Sequence, residues 1–214
     1  MSSELKPLIV QAGDFLKREY GFRVKGRIAI REDRLLRSVV FHPEKSATRG
    51  AYRFDVTLNL GLPGLSLVSA SRRVHVISAS LGKISRLRDS TKRRFELTGE
   101  SSDDAVISDV LSLLSDLCSD FLMSMSGPSD LLDLLDNSEE FKRLDLWPWN
   151  ELPRLELASV YYAFLGQEEL AYQWRERTVQ CALDGGMEYA VERVRVSVEE
   201  ALEAGRKRAA NSER

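Results

Sequence analysis

Hydrophobic and polar positions alternate with period two along "YRFDVTLNLGL", residues 52–62. Tyr52, Phe54, Val56, Leu58 and Leu60 share one face of the strand this predicts, and Arg53, Asp55, Thr57 and Asn59 share the other. The same period runs through "FRVKGRIAIRE" around Phe22, Val24, Ile28 and Ile30, with Gly26 read as a bulge. "RLLRSVVFH", residues 34–42, predicts a partner strand, joined to it by a turn at 32–34 as an antiparallel hairpin. "GLPGL" ends the third strand at Gly61, Pro63 and Gly64. Further on, "RRVHVISASLG" fits either a fourth strand or a basic connection, and "KRRFELTG" a short edge strand.

Elsewhere the apolar spacing is three to four residues. Leu5, Leu8, Ile9, Ala12, Phe15, Leu16 and Glu19 trace one stripe of a first helix, which Gly21 ends. Between Ser101 and Met125 a second stripe joins Val106, Val110, Leu113, Leu114, Leu117, Phe121 and Leu122. Ser101 or Ser102 is its expected cap, and Asp103 and Asp104 suit the positive end of the helix dipole. "SGPSD" closes that helix and places Pro128 at the entry of the next. Beyond it the pattern is helical throughout: one short acidic helix over 129–144, an aromatic loop "WPWNELP", a hairpin of 155–165 and 168–183 turning near Gly166, and a last helix after Gly185 and Gly186. Period-two strands with no helices between them argue against a parallel sheet. The expected fold is α+β: an antiparallel sheet of four to five strands flanked by helices, followed by an all-helical C-terminal tail. The expected division is an α+β domain over 1–126 and a helical extension over 127–214.

Composition changes this picture little, since 43% hydrophobic and 30% charged residues are ordinary for a globular chain. Charge changes it more. The net charge is −2, yet residues 1–94 hold 20 Lys+Arg against 8 Asp+Glu, and residues 95–214 hold 11 against 25. Two partners of opposite charge would explain this, as would attraction between the two halves or head-to-tail association of chains. The densest basic stretch, residues 72–94, contains Arg72, Arg73, Lys83, Arg86, Arg88, Lys92, Arg93 and Arg94. Arginine forks grip phosphates and carboxylates. Arg86, Arg88, Arg93 and Arg94 are therefore candidate partner-binding residues, next to the polar strand face Arg53, Asp55, Thr57 and Asn59. Trp147 and Trp149, around Pro148, are candidate interface anchors or else plugs of an internal seam.

Other chemistries find no support. His42, His75, Cys118 and Cys181 have no metal-ligand spacing, and both cysteines read as buried free thiols. Phosphate-cradling glycine loops and a nucleophile-elbow serine are missing. The carboxylates Asp130, Asp133, Asp136, Glu139 and Glu140 read as a solvated helix face. An enzyme would need an acid pair such as Asp55 with Glu32 or Glu44 in a cleft. No catalytic residue, metal or cofactor is expected. No apolar run approaches the ~20 residues of a membrane span, and the start has no secretion-signal pattern, so a cytoplasmic location is expected.

Four stretches in order resemble an uncharacterised bacterial family, the domain-of-unknown-function family numbered 4304. They are "LKREYGFRVKGRIAIRE", "LLRSVVFHPEKS", "YRFDVTLNLGL" and "GKISRL", followed by a closing helix; together they span about residues 4–125. "RRFEL" stands where the family usually carries a tryptophan pair. The resemblance implies a helix–sheet–helix domain and brings no activity or catalytic residues. Some relatives look like members of toxin-immunity neighbourhoods. The functional expectation is a non-enzymatic protein-binding or immunity-type module, with nucleic-acid binding through 72–94 as the alternative.

Overall fold

A computed structural model describes residues 5–44, 51–65, 76–88, 95–99 and 103–212. The first part is a helix and a sheet, in the order α1 (Lys6–Tyr20), β1 (Arg23–Lys25), β2 (Ile28–Glu32), β3 (Leu36–Glu44), β4 (Tyr52–Gly61), β5 (Val76–Ser80), α2 (Leu81–Arg88) and β6 (Phe95–Leu97). Then come α3 (Asp103–Leu117), running into a π-helical turn (Cys118–Leu122), and α4 (Pro128–Asp136), α5 (Ser138–Arg143), α6 (Glu151–Phe164), α7 (Glu168–Asp184) and α8 (Tyr189–Ser212). The fold is α+β, with an antiparallel sheet and a C-terminal helical region. No helix among the described residues is long and apolar enough to cross a membrane.

Two compact units divide the chain: Met1–Leu60 with Ser78–Ser126, and Gly61–Ile77 with Gly127–Arg214. In the first, the strand order is β1-β2-β3-β4-β5, and β6 also pairs with β4, at Tyr52, Arg53 and Phe54. Val39 and Phe41 of β3 and Phe54, Val56 and Leu58 of β4 are buried on one sheet face, with Phe95 stacked on Phe54. Leu8, Ala12 and Leu16 of α1 and Val110, Leu114 and Phe121 of the α3 region complete this core. Each of the valine, leucine and phenylalanine side chains among them, taken fully out of water, contributes about 1.5–3 kcal/mol.

Several elements differ from expectation. "FRVKGRIAIRE" is not one bulged strand. Gly26, at φ 60°, turns it into the hairpin β1–β2, with Lys25 opposite Ile28. The turn reverses the chain, so Ala29 is buried while Val24 and Ile28 are each 41% exposed. The buried stripe of α3 runs through Ile107, whereas Val106 and Leu113 are half-buried. Residues 129–144 form two helices, because Asn137 leaves helical geometry and its side chain accepts the Glu140 N–H of the next one. Ser101 and Ser102 lie outside the described residues.

In the helical unit α6 is the central element. Eleven of its residues are buried, on every side of the helix, which is the pattern of a helix enclosed by others. Gly166, at φ 77°, makes the α6–α7 turn. Glu156, on α6, accepts two bonds from Arg193 of α8 at 2.8 and 3.2 Å.

Candidate functional site

The polar face of β4 is a row of cross-strand bonds. Arg53 donates to Glu96 of β6 at 2.9 and 3.1 Å. Asp55 accepts from Ser80 Oγ at 2.7 Å and from the Gly82 N–H at 2.9 Å, which ties the end of β5 and the start of α2 to β4. Thr57 bonds the His42 ring at 2.8 Å. Asn59 bridges β3 and β5, donating to Ser38 at 3.2 Å and accepting from Ser78 at 2.7 Å. All four side chains are half-buried. Each is engaged by a neighbouring strand, so this face is internally paired rather than an open row of donors and acceptors.

Of the basic segment, Arg86 is placed on α2. A Cβ at Gly82 would stand 2.9 Å from Asp55 Oδ1 and 3.7 Å from Arg86 Nη1, so the fold gathers Asp55 and Arg86 at one glycine corner. Arg88 closes α2, and its side chain lies outside the described set, as do His75, Arg93 and Arg94. Helix α2 itself has no counterpart in the sequence reading.

The tryptophans sit in the helical unit, on the segment between α5 and α6, where the Trp147–Pro148 peptide is cis. Trp147 is 42% and Trp149 61% exposed. Helix α5 is held by the Asn137 cap and by Arg143 bonded to Glu140, which keeps the Glu140 carboxyl below its usual range despite some opposing desolvation. Phe141 of α5 is buried, and its backbone C=O accepts the Leu146 N–H at 2.9 Å, folding the segment back. A cavity of about 440 Å³ opens here, lined by Phe141, Lys142, Asp145, Trp149, Glu151 and Arg154 among others.

Arg154 is the residue that sequence reasoning missed. It lies on α6, is only 9% exposed, and its guanidinium carbon stands 5.7 Å from the centre of the Phe141 ring. Its Nη1 is buried with no hydrogen-bond partner. A buried, permanently charged donor of this kind calls for an acceptor. The signal was available in "LPRLELASV", where two charges, Arg154 and Glu156, interrupt an otherwise apolar helix. An aromatic wall, a planar donor and a carboxylate-bearing rim suit recognition of a side chain by fit and hydrogen bonding.

Cysteine chemistry finds a poor setting. Cys118 is fully buried, and burial pushes its thiol up to about 12, so it is protonated at neutral pH. Cys181 is only half-buried, where burial had been expected. Among the described residues no group of three or more His, Cys, Asp or Glu side chains could hold a metal ion. No family model, no curated protein and no solved structure matches this chain.

Proposed function

We propose that this protein is a non-enzymatic protein-binding module, of the adaptor or immunity type, that holds its partner at the pocket beside Trp147 and Trp149. The observation that carries this reading is two exposed indoles next to a pocket whose wall holds a buried arginine with an unclaimed donor. Tryptophan and arginine are the residue types that dominate binding energy in protein interfaces. The partner presents an apolar side chain to Trp149 and Phe141, and a carbonyl or carboxylate oxygen to Arg154. Lys142 and Arg154 are balanced on the same walls by Asp145 and Glu151. Recognition therefore rests on fit and depends little on salt. The immunity assignment draws on the resemblance in residues 4–125, which lies outside this pocket.

The test begins with the tagged protein recovered from its host lysate at moderate salt, with bound protein and nucleic acid both quantified. A stoichiometric protein partner is then titrated against the Trp147→Ala/Trp149→Ala double variant and against Arg154→Leu. Loss of about 2 kcal/mol, roughly thirtyfold in Kd, is expected for the double variant. Unchanged affinity in both variants sinks the reading. The charge-dense stretch 72–94 favours nucleic acid as the second reading. That one expects nucleic acid instead of protein, released steeply by salt and lost when Arg86, Arg88, Arg93 and Arg94 are reversed in charge.

A further inference from the structure

The sheet has an unclaimed edge in the first unit. β1 pairs with β2 on one side, and no strand among the described residues lies on its other side. All three β1 residues are exposed. The neighbouring ladder fixes the direction of the free amides. The Phe41 N–H donates to the Arg27 C=O at 3.0 Å, so residues 27, 29 and 31 turn their amides toward β3. Ile28 and Ile30 therefore face β1, where they pair with Lys25 and Arg23. Alternation leaves the N–H and C=O of Val24 pointing outward from the sheet.

The side chains at this edge divide by face. Val24 stands opposite Ala29, on the buried face, and Gly13 of α1 makes room for it: a Cβ at Gly13 would lie 3.2 Å from Val24 Cγ1. Val10, 51% exposed, and Val24, 41% exposed, belong to a groove of about 590 Å³ between α1 and β1. Arg23 and Lys25 alternate with Val24 and so belong to the other sheet face, though Arg23, at the first position of the strand, also borders the groove. Lys6, Lys17 and Arg23 also line the groove, against one acid, Asp14. Among the described residues, no ion pair engages Lys6, Lys17, Arg23 or Lys25.

We propose that this edge receives an extended acidic segment of another protein as an added strand. The segment alternates: an apolar residue opposite Val24 enters the groove beside Val10, and the acids flanking it meet Arg23 and Lys25. Strand addition draws affinity from main-chain bonds and specificity from alternate side chains. A second copy of β1 is a poor occupant, because it would set Arg23 and Lys25 against their own charges. The competing explanation is that these cations merely guard a short edge against pairing.

The probe is a fluorescein-labelled, end-capped Glu-Val-Glu-Val-Glu peptide, titrated with the intact protein by anisotropy at low salt, with amide spectra of ¹⁵N-labelled protein recorded alongside. The expected result is saturable binding with a shift and slowed exchange of the Val24 amide. The Lys-Val-Lys-Val-Lys counterpart should bind at least tenfold more weakly. Val24→Pro removes an outward N–H that the β1–β2 ladder does not use, and should weaken binding at least tenfold with the unfolding midpoint held. Should that variant unfold, Arg23→Glu with Lys25→Glu, at exposed positions, serves instead and should reverse the preference between the two peptides. Failure of the acidic peptide to saturate overturns the proposal. So does equal binding of both peptides, or unchanged acidic-peptide binding by a folded variant.

Discussion

Arg37 is 3% exposed on the core face of β3, where the alternation of "LLRSVVF" places it in line with Val39 and Phe41. It is held by three partners. Nε donates to the Leu122 C=O and Nη2 to the Met125 C=O, both at 2.7 Å, while Nη1 pairs with Asp33. The π-helical turn leaves carbonyls at its end that no later helical N–H reaches, and Arg37 satisfies two of this region's acceptors. Arg37→Met should cost about 2–4 kcal/mol, read as a fall in the urea midpoint at unchanged slope, because two carbonyls lose charged donors inside the fold. Arg37→Lys should recover little, since a single ammonium cannot reproduce the fork. Burial works to raise the Asp33 pKa, but the Leu35 N–H, Arg37 and Arg31 outweigh it and hold the carboxyl below its ordinary 3.8. A depressed folded-state pKa gives stability that is present above 3.8 and lost as pH falls through the folded value. The acid limb of stability below about pH 4 should therefore flatten in Asp33→Asn. An arginine on the buried phase of a strand was legible in the sequence. Two of its three partners, 85 and 88 positions away, were not.

At the scale of elements, the strongly periodic pieces were legible and the places where one glycine or asparagine changes the path were not. β4 and the α6–α7 hairpin follow their patterns closely, because many residues agree on one period. Gly26 serves a bulge or a two-residue turn equally well from sequence, and only the pairing of Lys25 with Ile28 decides. Arg154 was hidden for a related reason: the burial of α6 on all sides comes from α4, α7 and α8, none of which its own sequence specifies. Packing against α8 is close. A Cβ on Gly205 would lie 2.5 Å from the Phe164 carbonyl oxygen and 3.1 Å from that of Ala163. Intrinsic propensity alone would make Gly205→Ala stabilising by about 1 kcal/mol in a helix interior. Here the obstacle is backbone at the C-terminal end of α6, which cannot rotate aside. Overpacking of about 1–3 kcal/mol should win, and the variant should melt below the wild type in calorimetry.

For the molecule as a whole, the fold redistributes the charge that the linear sequence displays. Split at residue 94, the halves carry +12 and −14. Counted by compact unit, the first holds 18 Lys+Arg against 15 Asp+Glu, and the second 13 against 18, or +3 and −5. The acids of α3 join the basic strands in one unit, as Glu96 of β6 does when it pairs with Arg53. Much of the apparent polarity is thus neutralised inside a unit, which removes weight from partners chosen by bulk charge and moves it to local sites. The units are also not consecutive in the chain: Leu62–Leu65, which follow β4, group with the helices rather than with the strand that precedes them. Leu62 and Leu65 are each 1% exposed, and a Cβ on Gly64 would lie 3.7 Å from Phe164 of α6. Leu65→Ala should then cost about 2–5 kcal/mol, but locally. Hydrogen exchange followed by mass spectrometry on the intact variant should show faster exchange in α6 and α8, with β2 and β3 unchanged, as expected when separate units open separately. Equal acceleration in the sheet and the helices would mean that the two units unfold as one. Acceleration in the sheet alone would mean that residues 61–65 stabilise the strands they follow rather than the helices.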